Sequence, residues 1–483
     1  MFLGIDLGTS GVKAVLVDDA EVVRATHTEP LTVSRPHLGW SEQAPEEWWQ
    51  ATLRAIDRLA ASHGPALSAV RGIGLSGQMH GAVLLDSTGE PLRPAILWDD
   101  TRSEAECRAL ESSFPALREI AGNPAMPGFT APKLLWVRAH EPEIFARTAH
   151  VLLPKAYLRY RLSGEMIEDM SDASGTLWLN VGARCWSEEA LAATGLSLAQ
   201  MPRLVEGSAP AGQLTAELSA RWGMKRAPVI AGSAGDNAAS AVGLGAIRSG
   251  DAFLSLGTSG VLWVTTDRFR PNPAATVHAF AHALPGLWHQ MGVTLSAAGS
   301  MDWWSKVTGE SPAALQAHLP KVPKAASPVT FLPYIKGERT PHNDGTVRGA
   351  FVGLSADTDR DTLTQAVLEG VAFSFRDCLD ALRGAGTEVK EADVVGGGSR
   401  SDLWITILAA SLGLTLHRVA ESEHGAAIGA ARLGRLAATG EDPLVLCTPP
   451  KRVASFAPDA GLQAAYEERL PYYRRLYSAL RPD

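Results

Sequence analysis

The chain has few cysteines, no basic run and no long apolar stretch, and each shortage closes off a class of function. Only four of its 483 residues are cysteine: Cys107, Cys185, Cys378 and Cys447. They are scattered with no CxxC spacing, so neither a disulfide framework nor a zinc site is expected, and reduced thiols point to a cytoplasmic location. Lys and Arg number 44 against 52 Asp and Glu, a net charge of −8. With no Lys/Arg cluster to follow a phosphate backbone, nucleic acid is not an expected partner. The N-terminus, Met1-Phe-Leu-Gly-Ile-Asp6, carries no basic leader. The longest apolar stretch, Leu403 to Leu416, contains Thr and Ser and is too short to span a bilayer, so no membrane partner is expected either. Glycine (46) and proline (30) stay below the share that marks low-complexity chains. What remains is a globular chain long enough for about two to four domains.

What is present is a repeat. Leu7-Gly8-Thr9-Ser10-Gly11-Val12 recurs verbatim as Leu256-Gly257-Thr258-Ser259-Gly260-Val261. Apolar residues alternate from Phe2 to Leu7 and Val12 to Asp18 around the first copy, and from Ala252 to Leu256 and Val261 to Thr265 around the second. Both copies therefore read as hairpins with a Gly-flanked hydroxyl turn. Two copies mean a duplicated domain rather than a solenoid. A boundary near Gly245 to Gly250 gives domains at 1–245 and 246–483. Strand-like segments (Ala69 to Leu75, Gly81 to Leu85, Pro228 to Gly232) alternate with helix-like ones (Pro45 to Ser62, Asp236 to Gly243), the α/β pattern. In the second half a helix is expected over Asp361 to Arg383, a strand over Asp393 to Val395 ending in Gly396-Gly397-Gly398, and a helix over Ser401 to Leu412. Gly425 to Leu436 is rich in small residues and suited to close packing. A Gly-rich turn after a strand lets backbone amides surround a phosphate. Two such hairpins facing each other, with the triple-Gly turn, could hold one polyphosphate between domains, whereas either alone reads first as a tight turn.

Three other patterns carry less. Gly72-Ile-Gly-Leu-Ser-Gly77 satisfies G-x-G-x-x-G, but its glycines lie within a strand-like run and another strand follows, so the dinucleotide fingerprint lacks its helix. His278 and His282 have the spacing of helical zinc ligands, yet no Glu follows His278 and the surrounding alternation is that of a strand. Trp48-Trp49 and Trp303-Trp304 read as core packing ahead of sugar-stacking platforms.

Two carboxylates are placed for phosphoryl transfer. Asp6 ends the first strand just before the first phosphate-type turn, where an aspartate often only caps the turn; as a functional group it would repel a bare phosphate, a conflict that a hydrated magnesium ion would remove. The equivalent position in the second copy is Ser255, so the two sites have diverged. Asp236 follows a strand and a Gly-Ser-Ala-Gly turn and opens a helix together with Asn237. It reads either as an N-cap or as the base for an alcohol, and the two roles are compatible.

Gly4-Ile-Asp-Leu-Gly-Thr-Ser-Gly11, Ala234-Gly-Asp-Asn-Ala238, Leu256-Gly-Thr-Ser-Gly260 and Gly396-Gly-Gly-Ser-Arg400 together resemble the FGGY carbohydrate kinases. One family signature matches fully at Gly128 to His140. The second matches over Gly349 to Glu369 except at Thr362, where a polar amide, an acid or His is usual. The resemblance implies an α/β fold of two duplicated ribonuclease H-like (actin-like ATPase) domains with a cleft between them, the sugar and magnesium on the first domain and the nucleotide on the second. Gln78-Met79-His80, with Ile96 to Arg102 and Gly337 to Asn343, is similar to the branch acting on D-xylulose; glycerol kinases carry Arg-Glu where Met79-His80 stand. By that resemblance ATP phosphorylates O5 of an open-chain ketopentose with Asp236 as base. Gln78, Met79, His80, Asp236 and Asn237 contact the sugar; Thr9, Gly257, Thr258, Gly397 and Gly398 contact ATP; and Asp6, also catalytic, holds Mg2+ through water. Kinases for ribulose, fuculose or gluconate are the nearest rivals, and a chaperone or filament ATPase is a remote one. The family also admits a homodimer.

Overall fold

The alternation that opens the chain folds as a hairpin. Phe2–Gly8 (β1) pairs antiparallel with Gly11–Val17 (β2), which sets Asp6 opposite Lys13 in register. The computed structural model describes residues 1–420 and 425–481. β2 pairs onward with Val23–Pro30 (β3). The chain then enters α1 (Pro45–Leu67), which has Pro45 at its first position and Glu46 and Glu47 in its first turn, where the helix dipole favours negative charge. Trp48, Thr52, Ile56 and Leu59 recur at helical spacing and are buried, so α1 covers one face of the sheet. It kinks at His63, two residues before an internal proline.

From α1 the chain returns as Gly72–Gly77 (β4), parallel to β1. This is the segment that mimics a dinucleotide fingerprint, and it is strand throughout. The helices α2 (Thr130–His140), α3 (Pro154–Ser163) and α4 (Met170–Ala173) follow, then the strands β5 (Pro210–Gln213) and β6 (Val229–Ala231). The sheet runs β5-β6-β4-β1-β2-β3, and the two-residue strand Ala234–Gly235 pairs with the end of β4 just before α5 (Asp236–Gly243).

The second half repeats this topology. Ala252–Leu256 (β7) and Gly260–Thr266 (β8) form its hairpin, followed by His278–Ala281 (β9) and Trp288–Thr294 (β10). Next come α6 (Arg360–Gly384), β11 (Glu391–Val395), α7 (Asp402–Leu412), β12 (Thr415–Val419), α8 (Gly425–Thr439), β13 (Arg452–Phe456) and α9 (Ala460–Leu480). The strand order is β9-β10-β8-β7-β11-β12-β13. Six of these strands match the first sheet one for one in order and direction: β11 and β12 lie parallel beyond β7 as β4 and β6 lie beyond β1, and β13 and β5 are the antiparallel outer strands. The duplicated α/β fold is therefore present, with β9 as an addition.

Two connections tie the halves together. α8, late in the chain, packs on the first sheet and on α5 with backbone against backbone. A Cβ added to Gly4 would fall 2.0 Å from the Ala427 carbonyl oxygen, one on Gly74 1.8 Å from that of Ala430, and one on Gly429 1.8 Å from that of Ala239. This explains the small-residue composition of Gly425 to Leu436. A cut at residue 245 would assign α8 to one half by sequence while its packing is with the other. On the far side, β9 and β10 dock on the first half: Ala281 N donates to Ser174 Oγ (3.0 Å) and Trp288 Nε1 to the Val181 carbonyl (2.8 Å). The tryptophan pairs are packing, as read: Trp48, Trp49 and Trp304 are buried, and Trp303 stacks on Phe331. No helix among the described residues is long and apolar enough to cross a membrane. All four cysteines are free thiols.

Candidate active site

Between the two hairpins lies a cavity of about 250 Å³, lined from the first half by Asp6, Lys13, Asn237 and Ser240 and from the second by Phe253, Ser255, Val395, Gly396 and Gly425 to Ala427. Sequence reading placed Asp6 and Asn237 here and missed Lys13. The signal for Lys13 is hairpin register: the residue opposite Asp6 must share its face of the ladder, which puts an ammonium beside the carboxylate. Burial pushes the Asp6 carboxyl up, and the nearby Ser76 hydroxyl and Lys13 ammonium pull it partly back.

Asp236 is the first residue of α5. Its Oδ1 accepts from Asn237 N (2.7 Å) and Asn237 Nδ2 (2.9 Å), while Oδ2 receives no hydrogen bond from a described residue. Burial and then the negative charge of Asp6 raise its pKa to about 6, against the two Asn237 donors. Asn237 thus orients the carboxylate. The turn before it is braced throughout: Leu75 N donates to Ser233 Oγ (2.8 Å), Arg159 donates to the Gly232 carbonyl, and Gly235 N donates to Ser171 Oγ (3.1 Å). Ser171 Oγ in turn donates to Asp169 Oδ1 (2.5 Å).

Behind this turn Glu168, Asp169 and Asp172 are the described residues close enough together to hold a metal ion. Lys155 Nζ already occupies their centre, 2.6 Å from Glu168, 2.8 Å from Asp169 and 3.6 Å from Asp172, so an ammonium fills the place of a cation. His278 and His282 hold no metal arrangement. His278 Nδ1 bonds Asn123 Oδ1 (2.9 Å), and His282 spans the Ala246 carbonyl and Leu284 N.

Gln78, Met79 and His80 leave the end of β4 and separate in role. Gln78 is buried with its amide engaged on both sides: Oε1 accepts from Thr9 Oγ1 (3.1 Å) and Nε2 donates to Gln43 Oε1 (3.1 Å). Thr9 Oγ1 also accepts from Trp98 Nε1 (3.0 Å), so Gln78 and Trp98 hold the first hairpin turn. Met79 lies against Gly235, where any side chain would meet its Sδ at 2.9 Å. His80 has left-handed backbone, φ 70°, and its Nδ1 bonds the Gly175 carbonyl (2.8 Å). A carbonyl only accepts, so Nδ1 carries the proton. Burial lowers the ring pKa to about 3, which keeps it neutral.

In the second half Thr258 is exposed, and its hydroxyl bonds no described residue. The carbonyls of Gly257 and Thr258 accept from Ala298 N (2.8 Å) and Ala297 N (2.9 Å), anchoring the turn. Gly396 has φ 88° and turns the chain at the end of β11. A Cβ on Gly397 would meet nothing within 4 Å, leaving open space for a ligand, whereas on Gly398 it would strike Leu256 and Trp404. The triple glycine thus serves an open approach at Gly397 and packing at Gly398.

An Asp6 carboxylate raised by burial, an Asp236 carboxylate raised by burial and then by Asp6, and a cavity lined by Asp6 and Asn237 suit a hydrated divalent cation, whose charge would relieve that repulsion.

Comparison with known proteins shows the family. The family model described as the FGGY family of carbohydrate kinases, N-terminal domain, matches residues 1–243, and its C-terminal counterpart matches residues 252–438. The chain is 49% identical to a xylulose kinase of Escherichia coli (strain K12) and 48% identical to one of Klebsiella pneumoniae, each match covering 100% of this chain and 99% of the relative. The crystal structure of a xyloylose kinase from Brucella ovis superposes with a TM-score of 0.97 at 54% identity, over 99% of both chains.

Proposed function

The chain belongs to the FGGY family of carbohydrate kinases, and from that premise we propose that it phosphorylates O5 of D-xylulose with ATP, using Asp236 as general base, to give D-xylulose 5-phosphate and ADP. The observation that carries the base is the Asp236 carboxylate itself. It opens α5 next to Asn237, which lines the cavity, with Oδ1 tied to Asn237, no described residue bonded to Oδ2, and a pKa of about 6. A base of that pKa is mostly ionised at neutral pH yet still takes a proton readily.

Oδ2 accepts the proton of the O5 hydroxyl as that oxygen attacks the γ-phosphorus and the bond from phosphorus to the β,γ-bridging oxygen breaks. Asn237 keeps Oδ1 occupied so that the free oxygen faces the alcohol. His80, neutral and protonated on Nδ1, offers Nε2 as a hydrogen-bond acceptor for a sugar hydroxyl, and Met79 walls the carbon chain. Lys13 stands where it neutralises phosphate charge. The hydroxyl of Thr258 and the open backbone at Gly397 receive the nucleotide from the second half, with Thr9 held at the first turn by Gln78 and Trp98. Asp6 would hold hydrated Mg2+, which when bound offsets charge on the β- and γ-phosphates. Phosphoryl transfer depends mainly on positioning and charge stabilisation, and these are what the two hairpins supply. Free thiols and the absence of a membrane-spanning helix among the described residues fit a cytoplasmic enzyme.

A panel of D-xylulose, D-ribulose, L-fuculose, D-gluconate and glycerol, coupled to ADP release, tests the assignment. D-Xylulose should have the highest kcat/KM. A higher value on any other member would reassign the substrate.

A further inference from the structure

Lys133 is the fourth residue of α2 and 0% exposed. No carboxylate among the described residues lies within ion-pair distance of it. Its Nζ donates instead to two backbone carbonyls, those of His80 (2.8 Å) and Gly128 (2.7 Å). The same His80 carbonyl accepts from Thr130 Oγ1 (3.1 Å), one turn earlier on the helix. Burying an ammonium without a counter-ion is costly, and a methionine would fill the same space without that cost. The donors are therefore what the position needs. Burial lowers Lys133 to about 7, and in either protonation state the nitrogen keeps at least the two N–H donors its two carbonyls require.

The residue gripped in this way is strained. His80 holds φ at 70°, a region that a side-chain-bearing residue occupies only when its surroundings impose it. Its ring is confined as well, with Nδ1 on the Gly175 carbonyl and its centroid 4.6 Å from that of the tilted Phe129 ring. Thr130 Oγ1 also reaches that Gly175 carbonyl (3.4 Å), so one helix N-terminal turn contacts both anchors of His80.

We propose that Lys133, supported by Thr130, is a positioning residue for sugar recognition: it clamps the backbone of His80 in the left-handed conformation that turns Nε2 toward the substrate. This rests on the reading that His80 contacts the sugar.

The test is a double-mutant cycle on the full-length enzyme with His80→Ala, Lys133→Met and the pair, measuring KM for D-xylulose, D-ribulose and ATP, with melting curves for each variant. Lys133→Met should raise the D-xylulose KM roughly 10- to 100-fold, the loss expected for a charged hydrogen bond. It should narrow the preference for D-xylulose over D-ribulose and leave the ATP KM unchanged. Added to His80→Ala it should cost little more, because the group it positions is gone. Equal losses on both sugars and ATP, or full additivity with His80→Ala, would overturn the proposal in favour of a purely structural lysine. An unchanged sugar KM in His80→Ala would instead overturn the reading it rests on. Should Lys133→Met fail to fold, Thr130→Val removes the weaker donor and must give the same pattern at smaller size; an additive or sugar-blind effect there is equally decisive.

Discussion

With Asp236 titrating at about 6, its negative charge is present in most molecules at neutral pH and lost below it. kcat/KM for the sugar should therefore fall about tenfold per pH unit below roughly pH 6, and a flat profile down to pH 5 would exclude Asp236 as the base. Asp236→Asn should reduce kcat by ~10² to 10⁴ while ATP binding, measured by calorimetry, stays close to wild type, because the carboxylate meets the alcohol and not the nucleotide. Asp6→Ala should lower activity and shift the magnesium titration to higher concentration, and overlaid titrations would reduce Asp6 to a turn residue. Asp6 and Asp236 stood out in the sequence because Asp6 lies near the end of the first strand and Asp236 opens a helix, each beside a glycine turn, and the repeat supplied Ser255 as an internal comparison for Asp6. Lys13 was not legible, since an alternating strand gives every second residue the same standing and only the folded register shows which carboxylate it faces. Gln78 stands among the sugar contacts by likeness to relatives, and a linear reading could not show that its amide also bonds Thr9 and Gln43.

The hairpin and helix boundaries were readable to within a few residues wherever periodicity was strong, as in α6 and α7. β9 and β10 show what periodicity leaves out. They bring His278, His282 and His289 together in the interior, each held neutral by burial, with His282 at about 4. In the unfolded chain these rings protonate near pH 6.5. Below 6.5 the unfolded state therefore binds more protons, and their contribution to stability is lost as pH falls; for His282 that window runs from 6.5 to about 4, at ~1.4 kcal/mol per unit. Glu338 and Glu369, both raised to about 7 by burial, act in the opposite sense over part of the same range. The clean measurement is thus a difference: His282→Gln should lose less Tm than wild type between pH 7 and pH 5, and parallel curves would show that His282 does not titrate on unfolding. α8 has an equally sharp test. A Cβ at Gly429 meets a backbone oxygen that cannot rotate away, so Gly429→Ala should cost ~1 to 3 kcal/mol. It should also lower activity, because the helix it displaces begins with Asp236.

At the scale of the molecule, the proposed assignment puts the sugar groups on the first half and most of the nucleotide groups on the second, so binding the sugar should favour a closed cleft. Small-angle scattering with D-xylulose should show a smaller radius of gyration than without it, and no change at calorimetrically confirmed saturation would speak against closure. The duplication was visible from six identical residues. The interlock was not, because the packing of α8 on the first sheet joins residues far apart in sequence and leaves only a run of small residues as its trace. That interlock has a consequence for how the protein is made. Strands β1 and β4 emerge early from the ribosome, but the face lined by Gly4, Gly72 and Gly74 stays bare until α8 follows. At about 5 to 20 residues per second the nascent first sheet must wait on the order of tens of seconds for its cover. The two halves cannot mature one after the other as independent domains do. A translation product stopped at residue 245 should be held by chaperones or aggregate, where the whole chain folds.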